Sequence, residues 1–377
     1  MRLLIAPDKF KGTLSATEAA DAIARGWRRE RPDDAITCFP ISDGGDGFGE
    51  LLARHLGAEE RSVATVDAAH EPIVAPWWWV PGPRLALIES ARIIGLAMLP
   101  RGRHHPFDLD TFGLGAALRA AAALRPRTCL VGIGGSATND GGTGLARALG
   151  WQFRDRRQQP LERWPAFTRL DGIEPPRRPV RFRELKVAVD VRNPFLGLHG
   201  ATRVYGPQKG IRPVDVAPAE RALGRLARLV HRGRHESKPL ARTPGTGAAG
   251  GLGFGLAAFA GGQLAPGFEL FAQLSGLEAR VREADLVVTG EGAIDRTTLT
   301  MGKGVGQLMQ LCDRLQRPWL GLAGRVDLTG ATPARRSQLH AMAPDLAPPE
   351  EAMRRPALWL ARLGQQAARD WSARARG

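Results

Sequence analysis

Short apolar runs bounded by glycine, proline or an acid alternate along the chain with stretches whose apolar positions recur at helical spacing. That alternation is the pattern of α/β architecture, in which helices cover a largely parallel sheet. Strands are predicted at residues 3–6, 36–40, 62–66, 73–80, 86–89, 129–133, 186–189, 286–289, 319–323 and 339–343. Several of these runs are apolar throughout, as strands buried on both faces should be. The clearest helix start is Ser15-Ala16-Thr17-Glu18, a capping-box pattern followed by Ala19, Ala22, Ile23 and Trp27 on one helical face. Further helices are predicted over 113–124, 142–149, 218–230, 252–259, 304–315 and 350–374. The Pro- and Arg-rich stretches 154–183 and 232–244 read as loops.

A chain of 377 residues favours two domains. The segment after residue 286 repeats the strand, acid-glycine loop and helix of the opening segment, whereas the middle carries the tryptophan strand at 77–79 and the longest loops. The expected fold is two α/β domains. Residues 1–62 and 280–377 build a doubly wound, mostly parallel, Rossmann-like domain. Residues 63–279 form a second α/β domain inserted into it, with an active site in the cleft between them.

Charge changes this picture less than its size suggests. A formal net charge of +15 raises nucleic-acid binding. The arginines are scattered over predicted helices and loops, however, and the chain has one tyrosine and no nucleic-acid-binding signature. The expectation is a basic solvated surface with no specific nucleic-acid partner. Cys38, Cys129 and Cys312 are odd in number and lie in apolar stretches, so they read as buried free thiols in a reducing compartment. The start, MRLLIAPDKF, is charged too early for a signal peptide, and the small-apolar run 247–262 is too short and glycine-rich for a membrane span. These features predict a soluble, cytoplasmic protein without membrane contact. A homodimer is compatible with them.

Candidate chemistry begins with a bias. Of the 53 Lys and Arg residues only Lys9, Lys11, Lys186, Lys209, Lys238 and Lys303 are lysine. Lys9, Lys11, Lys209 and Lys303 sit in glycine- or acid-rich segments. A compact ammonium differs from a guanidinium where it meets phosphate or carboxylate, so these positions point to anion handling. In open α/β sheets, ligands bind beyond the carboxyl ends of strands, where five polar loops fall. APDKFKG (6–12) brings Asp8, Lys9 and Lys11 to the first strand end. SDGGDG (42–47) sets Asp43 among glycines, suited to Mg²⁺ or a substrate hydroxyl, with an Asp-Gly turn as the alternative. GIGGSATNDGG (132–142) runs from a strand to a helix and offers Gly134, Gly135, Ser136, Thr138, Asn139 and Asp140 to a phosphate or substrate.

DVRNP (190–194) and YGPQKG (205–210) contribute Asp190 at a strand end, Asn193 and Lys209. Asp190 is placed as a general base or metal ligand, or as a buried capping acid. TGEGAID (289–295) with MGKG (301–304) contributes Glu291 and Asp295 as further Mg²⁺ ligands and Lys303 as a bridge to phosphates. Several lysines, acids and glycine loops suit phosphoryl transfer, which asks for positioning and charge neutralisation. Residues 132–137 also satisfy G-x-G-x-x-A, with Asp155 near the position of a ribose acid, so an NAD(P)-dependent oxidoreductase is the rival enzyme class. The common P-loop and protein-kinase motifs and the hydrolase elbow G-x-S-x-G do not occur.

The strings APDKFKGTLSA, PISDGGDG, GIGGSATNDGGTG, DVRNPFLGLHGA, YGPQKG, PGTGAAGGLG and LVVTGEGAID, in this order and spacing, resemble the bacterial type I glycerate kinase (glycerate 2-kinase) family from residue 1 to about 325. The resemblance implies an enzyme transferring the γ-phosphate of ATP, with Mg²⁺, to D-glycerate, giving 2-phosphoglycerate in preference to 3-phosphoglycerate. It places Lys11, Asp190 and Lys209 as catalytic residues, Lys11 and Lys209 neutralising anionic charge and Asp190 accepting the hydroxyl proton. Gly134 to Ser136 would cradle phosphate, with Asp8, Lys9, Thr138, Asn139, Asp140, Asn193 and Lys303 in the same binding set and Asp43, Glu291 and Asp295 on the metal. This chain departs from the family at Gly113-Leu114-Gly115-Ala116, where the family has Gly-Thr-Gly-Glu, and at Ala293, where it has Arg. The segment from Asp295 to Lys303 is also a residue longer and lacks a Gln. Those departures admit a changed hydroxy-acid substrate or a non-catalytic sensor on the same fold.

Overall fold

The computed structural model describes residues 1–234, 238–296, 298, 304–327 and 338–374. It divides into two compact units, Met1–Asp43 with Phe271–Gly377, and Gly44–Leu270. The helix Phe48–Leu56 and the strand Glu59–Val66 therefore belong to the second unit, whereas the apolar pattern placed residues up to 62 with the first. The helix is held there by packing, since Gly49 lies against Trp78 and Glu89.

The first unit is built on a five-stranded sheet, every pairing of which is parallel. Its order is β13 (Leu339–Ala343), β12 (Trp319–Val326), β11 (Leu286–Ile294), β1 (Arg2–Ile5) and β2 (Ala35–Cys38). The capping box forms as expected: the Ser15 hydroxyl accepts from the Glu18 amide at 3.2 Å, and the Glu18 carboxylate accepts from the Ser15 amide at 2.8 Å. The helix it starts, Ala16–Arg28, buries Ile23 and Trp27 against Leu3, Leu286 and Leu320 of the sheet and Leu360 of the helix Pro356–Arg374. Full burial of such side chains contributes about 1.5–3 kcal/mol each, which makes this face the anchor of β1 and of the loop that follows it.

The second unit carries a six-stranded sheet ordered β10 (Gln263–Pro266), β9 (Leu185–Val189), β6 (Thr128–Gly132), β5 (Leu85–Glu89), β4 (Pro72–Val80) and β3 (Glu59–Val66). β10, β9, β6 and β5 are parallel, and β4 and β3 complete the sheet antiparallel. Trp77 and Trp79 of β4 lie in its core with Leu114, Val131 and Leu145. A separate antiparallel hairpin, β7 (Gln152–Asp155) with β8 (Leu170–Glu174), occupies part of the stretch expected to be loop. Its polar sequence hid it, because only Phe153 and Leu170 turn fully inward.

Other expectations shift for similar reasons. β11 does not stop at Thr289 but pairs with β12 as far as Ile294 opposite Val326. Glycine and an acid break the apolar pattern there while the backbone ladder continues. The expected helix 350–374 is two helices, Pro349–Arg354 and Pro356–Arg374, because Pro356 cannot continue the first. The helix expected from 218 starts at Pro213 and carries Pro218 within it. Cys129 and Cys312 are buried, but Cys38 is exposed because β2 is an edge strand. Among the described residues no helix is long and apolar enough to cross a membrane.

Candidate active site

In the first unit the loop after β1 continues the sheet: the amides of Ala6 and Asp8 donate to Val288 and Gly290 of β11 at 2.7 and 2.8 Å. The Thr289 hydroxyl donates to the Ala6 carbonyl at 2.8 Å and fixes the turn. Asp8 is thereby held almost fully buried, its carboxylate accepting from the Lys9 amide at 2.7 Å. Burial, then the Asp43 carboxylate and to a smaller extent Glu291, push the Asp8 carboxyl well above the usual carboxylate range. The first residue of the helix Gly304–Arg314 lies against both acids, a Cβ there falling 3.0 Å from Asp43 and 3.4 Å from Asp8. The structure thus brings Asp8, Asp43 and Glu291 together. Asp295 stands just beyond β11, where it accepts from the Thr298 amide at 3.1 Å, and the Thr298 hydroxyl donates to Glu291 at 3.0 Å. Lys11 is exposed and Lys9 half-buried beside this cluster, while Lys303 lies outside the described residues.

In the second unit β6 feeds the loop 133–142, which ends on the helix Thr143–Ala148. Only Gly134 and Gly135 of this loop open to solvent; Ser136, Thr138, Asn139 and Asp140 turn inward. Gly135 has φ +75°, and a Cβ there would collide with the Asp46 carboxylate. The Asp140 carboxylate is occupied by the chain itself. It accepts from the amides of Thr111, Gly142 and Gly144 and from the Thr111 hydroxyl, at 2.8–3.2 Å. Burial, with Asp110 nearby, raises its carboxyl. Asp140 positions the loop and leaves no oxygen turned to a ligand. The Ser136 and Thr138 hydroxyls bond to one another at 2.8 Å. Asn139 donates to the Thr202 hydroxyl at 3.0 Å, and its own oxygen is buried with no hydrogen-bond partner among the described residues.

Lys209 comes into this loop from the turn Pro207–Lys209. Its ammonium donates to the Thr138 carbonyl at 2.6 Å and is 7% exposed. Burial lowers it to about 7 even though the Asp140 charge acts the other way. Gly250, with φ +70°, crosses the same carbonyl so closely that a Cβ would strike it. The glycine-rich PGTGAAGGLG stretch is therefore the support of the loop that holds Lys209.

Sequence reasoning missed Glu89. It ends β5, pairs in register with Gly132 of β6, and is 2% exposed. Its carboxylate accepts from the amides of Gly47 at 2.6 Å and Glu50 at 3.3 Å, the first amides of the helix Phe48–Leu56. It so ties the 44–47 loop to the strand end, and that loop lies against Gly134, whose amide donates to Gly44 at 3.3 Å. An acid closing the apolar run LALIE was the available signal.

Asp190 follows β9 and is exposed. Its charge is felt by Tyr205, whose hydroxyl donates to Asn193 at 2.6 Å and whose pKa burial, foremost, pushes up to about 12. Asn193 in turn donates to the His199 carbonyl at 2.8 Å, so it orders this turn. Asp155 lies on the β7 hairpin, accepting from the amides of Arg157 and Gln159, and does not follow a parallel strand next to β6. With ten residues of loop before the next helix, the dinucleotide pattern at 132–137 lacks its structural context. Of the departures noted above, Leu114 is fully buried core at a helix start. Ala293 stands in register with Arg325 of β12, so a guanidinium remains on that pair of strands.

The molecule is of the α/β class, with strand carboxyl ends that carry a carboxylate cluster in one unit and a lysine-bearing glycine loop in the other. The comparisons make the class particular. The model of the glycerate kinase family matches residues 3–372, and the chain belongs to that family. It is similar to a glycerate kinase of Halalkalibacterium halodurans, 36% identical over 79% of this chain and 78% of that one. It is likewise similar to the glycerate 2-kinase of Escherichia coli K12, 32% identical over 86% and 85%. The crystal structure of a candidate glycerate kinase 2 from Salmonella typhimurium LT2 superposes with a TM-score of 0.78 over the whole of both chains, at 30% identity.

Proposed function

We propose that this enzyme transfers the γ-phosphate of ATP to a hydroxyl of D-glycerate, forming 2-phosphoglycerate. The observation that carries the reading is Lys209, a buried ammonium inside a glycine loop that begins at a parallel strand's carboxyl end. Burial lowers it to about 7, and a phosphate or carboxylate entering the loop would restore its charge. Charge thus becomes available where an anion needs it. Phosphoryl transfer needs little more than such neutralisation and alignment.

Gly134 and Gly135, the open part of the loop, let backbone amides approach phosphate oxygens without side-chain interference. The inward network of Ser136, Thr138, Asn139 and Asp140 keeps that backbone in place. Lys11 is exposed and mobile enough to meet a substrate carboxylate or phosphate, with Lys9 next to it. Asp190 is the proposed acceptor of the proton from the attacking hydroxyl, and Asn193 holds its turn through Tyr205.

The carboxylates of the first unit fit Mg²⁺ in one respect: Asp8, raised first by burial and then by Asp43, puts carboxylate oxygens side by side, the donors a hard cation takes. Among the described residues no group of three or more His, Cys, Asp or Glu side chains is arranged to hold a metal. A Mg²⁺ brought in with the nucleotide would be bound through one or two carboxylates and substrate phosphates rather than in a protein cage. Asp8 and Asp43 would hold it, with Glu291 and Asp295 supporting from the Thr298 turn. Bound with the nucleotide, the ion supplies charge neutralisation on the phosphates.

A coupled ADP-release assay tests the reading. Turnover with D-glycerate and Mg·ATP is expected, with much less for L-glycerate. Thermal stabilisation by ATP and glycerate without turnover would instead mark a sensor on this fold.

A further inference from the structure

Away from the loops discussed above, the second unit has a cavity of about 500 Å³ lined by Arg84, Arg125, Arg127, Arg181 and Arg183, with Gly82, Pro83, Ala122 and Pro126. The positions of these residues in the fold are the informative part. Arg84 immediately precedes β5, Arg127 precedes β6, and Arg183 stands two residues before β9. β9, β6 and β5 are adjacent parallel strands. Their carboxyl ends lead to Glu89, to the glycine loop and to Asp190, so the cavity lies at the opposite edge of the same sheet. Strands of five residues put the two edges about 16 Å apart. A ligand in the cavity is therefore not the substrate in the glycine loop.

The cavity is built, not merely basic. Arg84 donates to the Leu124 and Arg125 carbonyls at 2.8 and 2.7 Å, holding the end of the helix Leu114–Ala123. Arg84 and Arg125 both adopt left-handed backbone, φ 53° and 48°, Arg125 where it terminates the helix Leu114–Ala123. The acid at this edge, Glu184, accepts from the Thr128 hydroxyl at 2.7 Å, pairs with Lys186 at 3.3 Å and feels the Arg183 charge, but does not line the hollow. Five guanidiniums against this one acid leave an excess of positive charge, and planar N–H forks pair bidentately with phosphate and carboxylate oxygens. The hollow is open to solvent, and all five arginines are exposed.

We propose that this cavity is a second anion site, taking a small molecule that carries several phosphate or carboxylate groups. The test is arginine footprinting with phenylglyoxal, read peptide by peptide by mass spectrometry at about 0.15 M salt, where long-range charge effects are screened. Inorganic tripolyphosphate and citrate serve as probes. One or both should slow modification of Arg127 and Arg183 by about fivefold, the factor 1 + [L]/Kd at four times Kd, and leave Arg25 and Arg29, exposed like them, unchanged. Protection by tripolyphosphate alone assigns a polyphosphate ligand, and equal protection by citrate a polycarboxylate. In the double variant R127S/R183S, protection of Arg181 should vanish. Uniform protection of all four arginines, protection by neither probe, or protection by a DNA duplex alone would overturn the proposal. No turnover is measured, so the outcome is independent of the kinase reading.

Discussion

Lys209 gives the most specific expectations at the scale of single residues. Its amine is near 7 in the folded protein, against an ordinary 10.5. Between those values the folded chain holds fewer protons than the unfolded one, so stability rises with pH across that window, and Lys209→Met should abolish that share of the slope in urea melts. An anion that restores the charge must bring a proton with it. Calorimetry of glycerate or nucleotide binding at pH 8 in buffers of different ionisation enthalpy should report uptake approaching one proton in the native protein and none in Lys209→Met. The same variant should lose at least about a hundredfold in kcat/KM. Asp140→Ala makes a contrasting case. Four donors lose their acceptor, and stability should fall by about 2–4 kcal/mol in a urea titration. Lys209 was legible in the sequence because lysine is rare in it; its burial was not, since YGPQKG reads as a polar turn. Asp140 was legible as an acid in a glycine loop, but nothing local told that Thr111, far back in the chain, would claim its oxygens.

At the scale of elements, strand ends decide where the chemistry falls. Glu89 closes β5 and caps the helix Phe48–Leu56, so Glu89→Ala should cost about 1–2 kcal/mol, the worth of a helix cap. It should also raise KM more than it lowers kcat, because the 44–47 loop rests on Gly134, and Glu89→Gln should recover most of both. Gly135→Ala meets left-handed backbone and the Asp46 carboxylate, and should depress kcat/KM steeply; Gly172→Ala, which opens into free space, should change neither rate nor melting temperature. Most strands were legible as unbroken apolar runs. β11 was read short because Gly290, Glu291 and Gly292 interrupt that run, though Gly290 is what lets the backbone of β12 approach. The β7–β8 hairpin was missed because its pairing satisfies backbone groups while most of its side chains stay polar and outward.

At the scale of the whole molecule, chain length and the alternation of apolar runs predicted two α/β units and the structure has two, with a parallel sheet in the first and a mixed one in the second. The unit limits depend on packing that no local pattern records, as Gly49 against Trp78 shows. The glycine loops were legible as candidate anion sites because each lies after a strand; which of their residues turn inward was not, since that depends on long-range partners. The charge of +15 is spread over the arginines, and five of them gather at one sheet edge only after folding. Transfer of a phosphoryl group onto glycerate is read by phosphorus NMR of a reaction containing the enzyme, Mg·ATP and D-glycerate. A new phosphomonoester resonance that co-adds with authentic 2-phosphoglycerate is expected as ATP is converted to ADP. No new phosphomonoester with D-glycerate, under conditions where ATP binds, would contradict it.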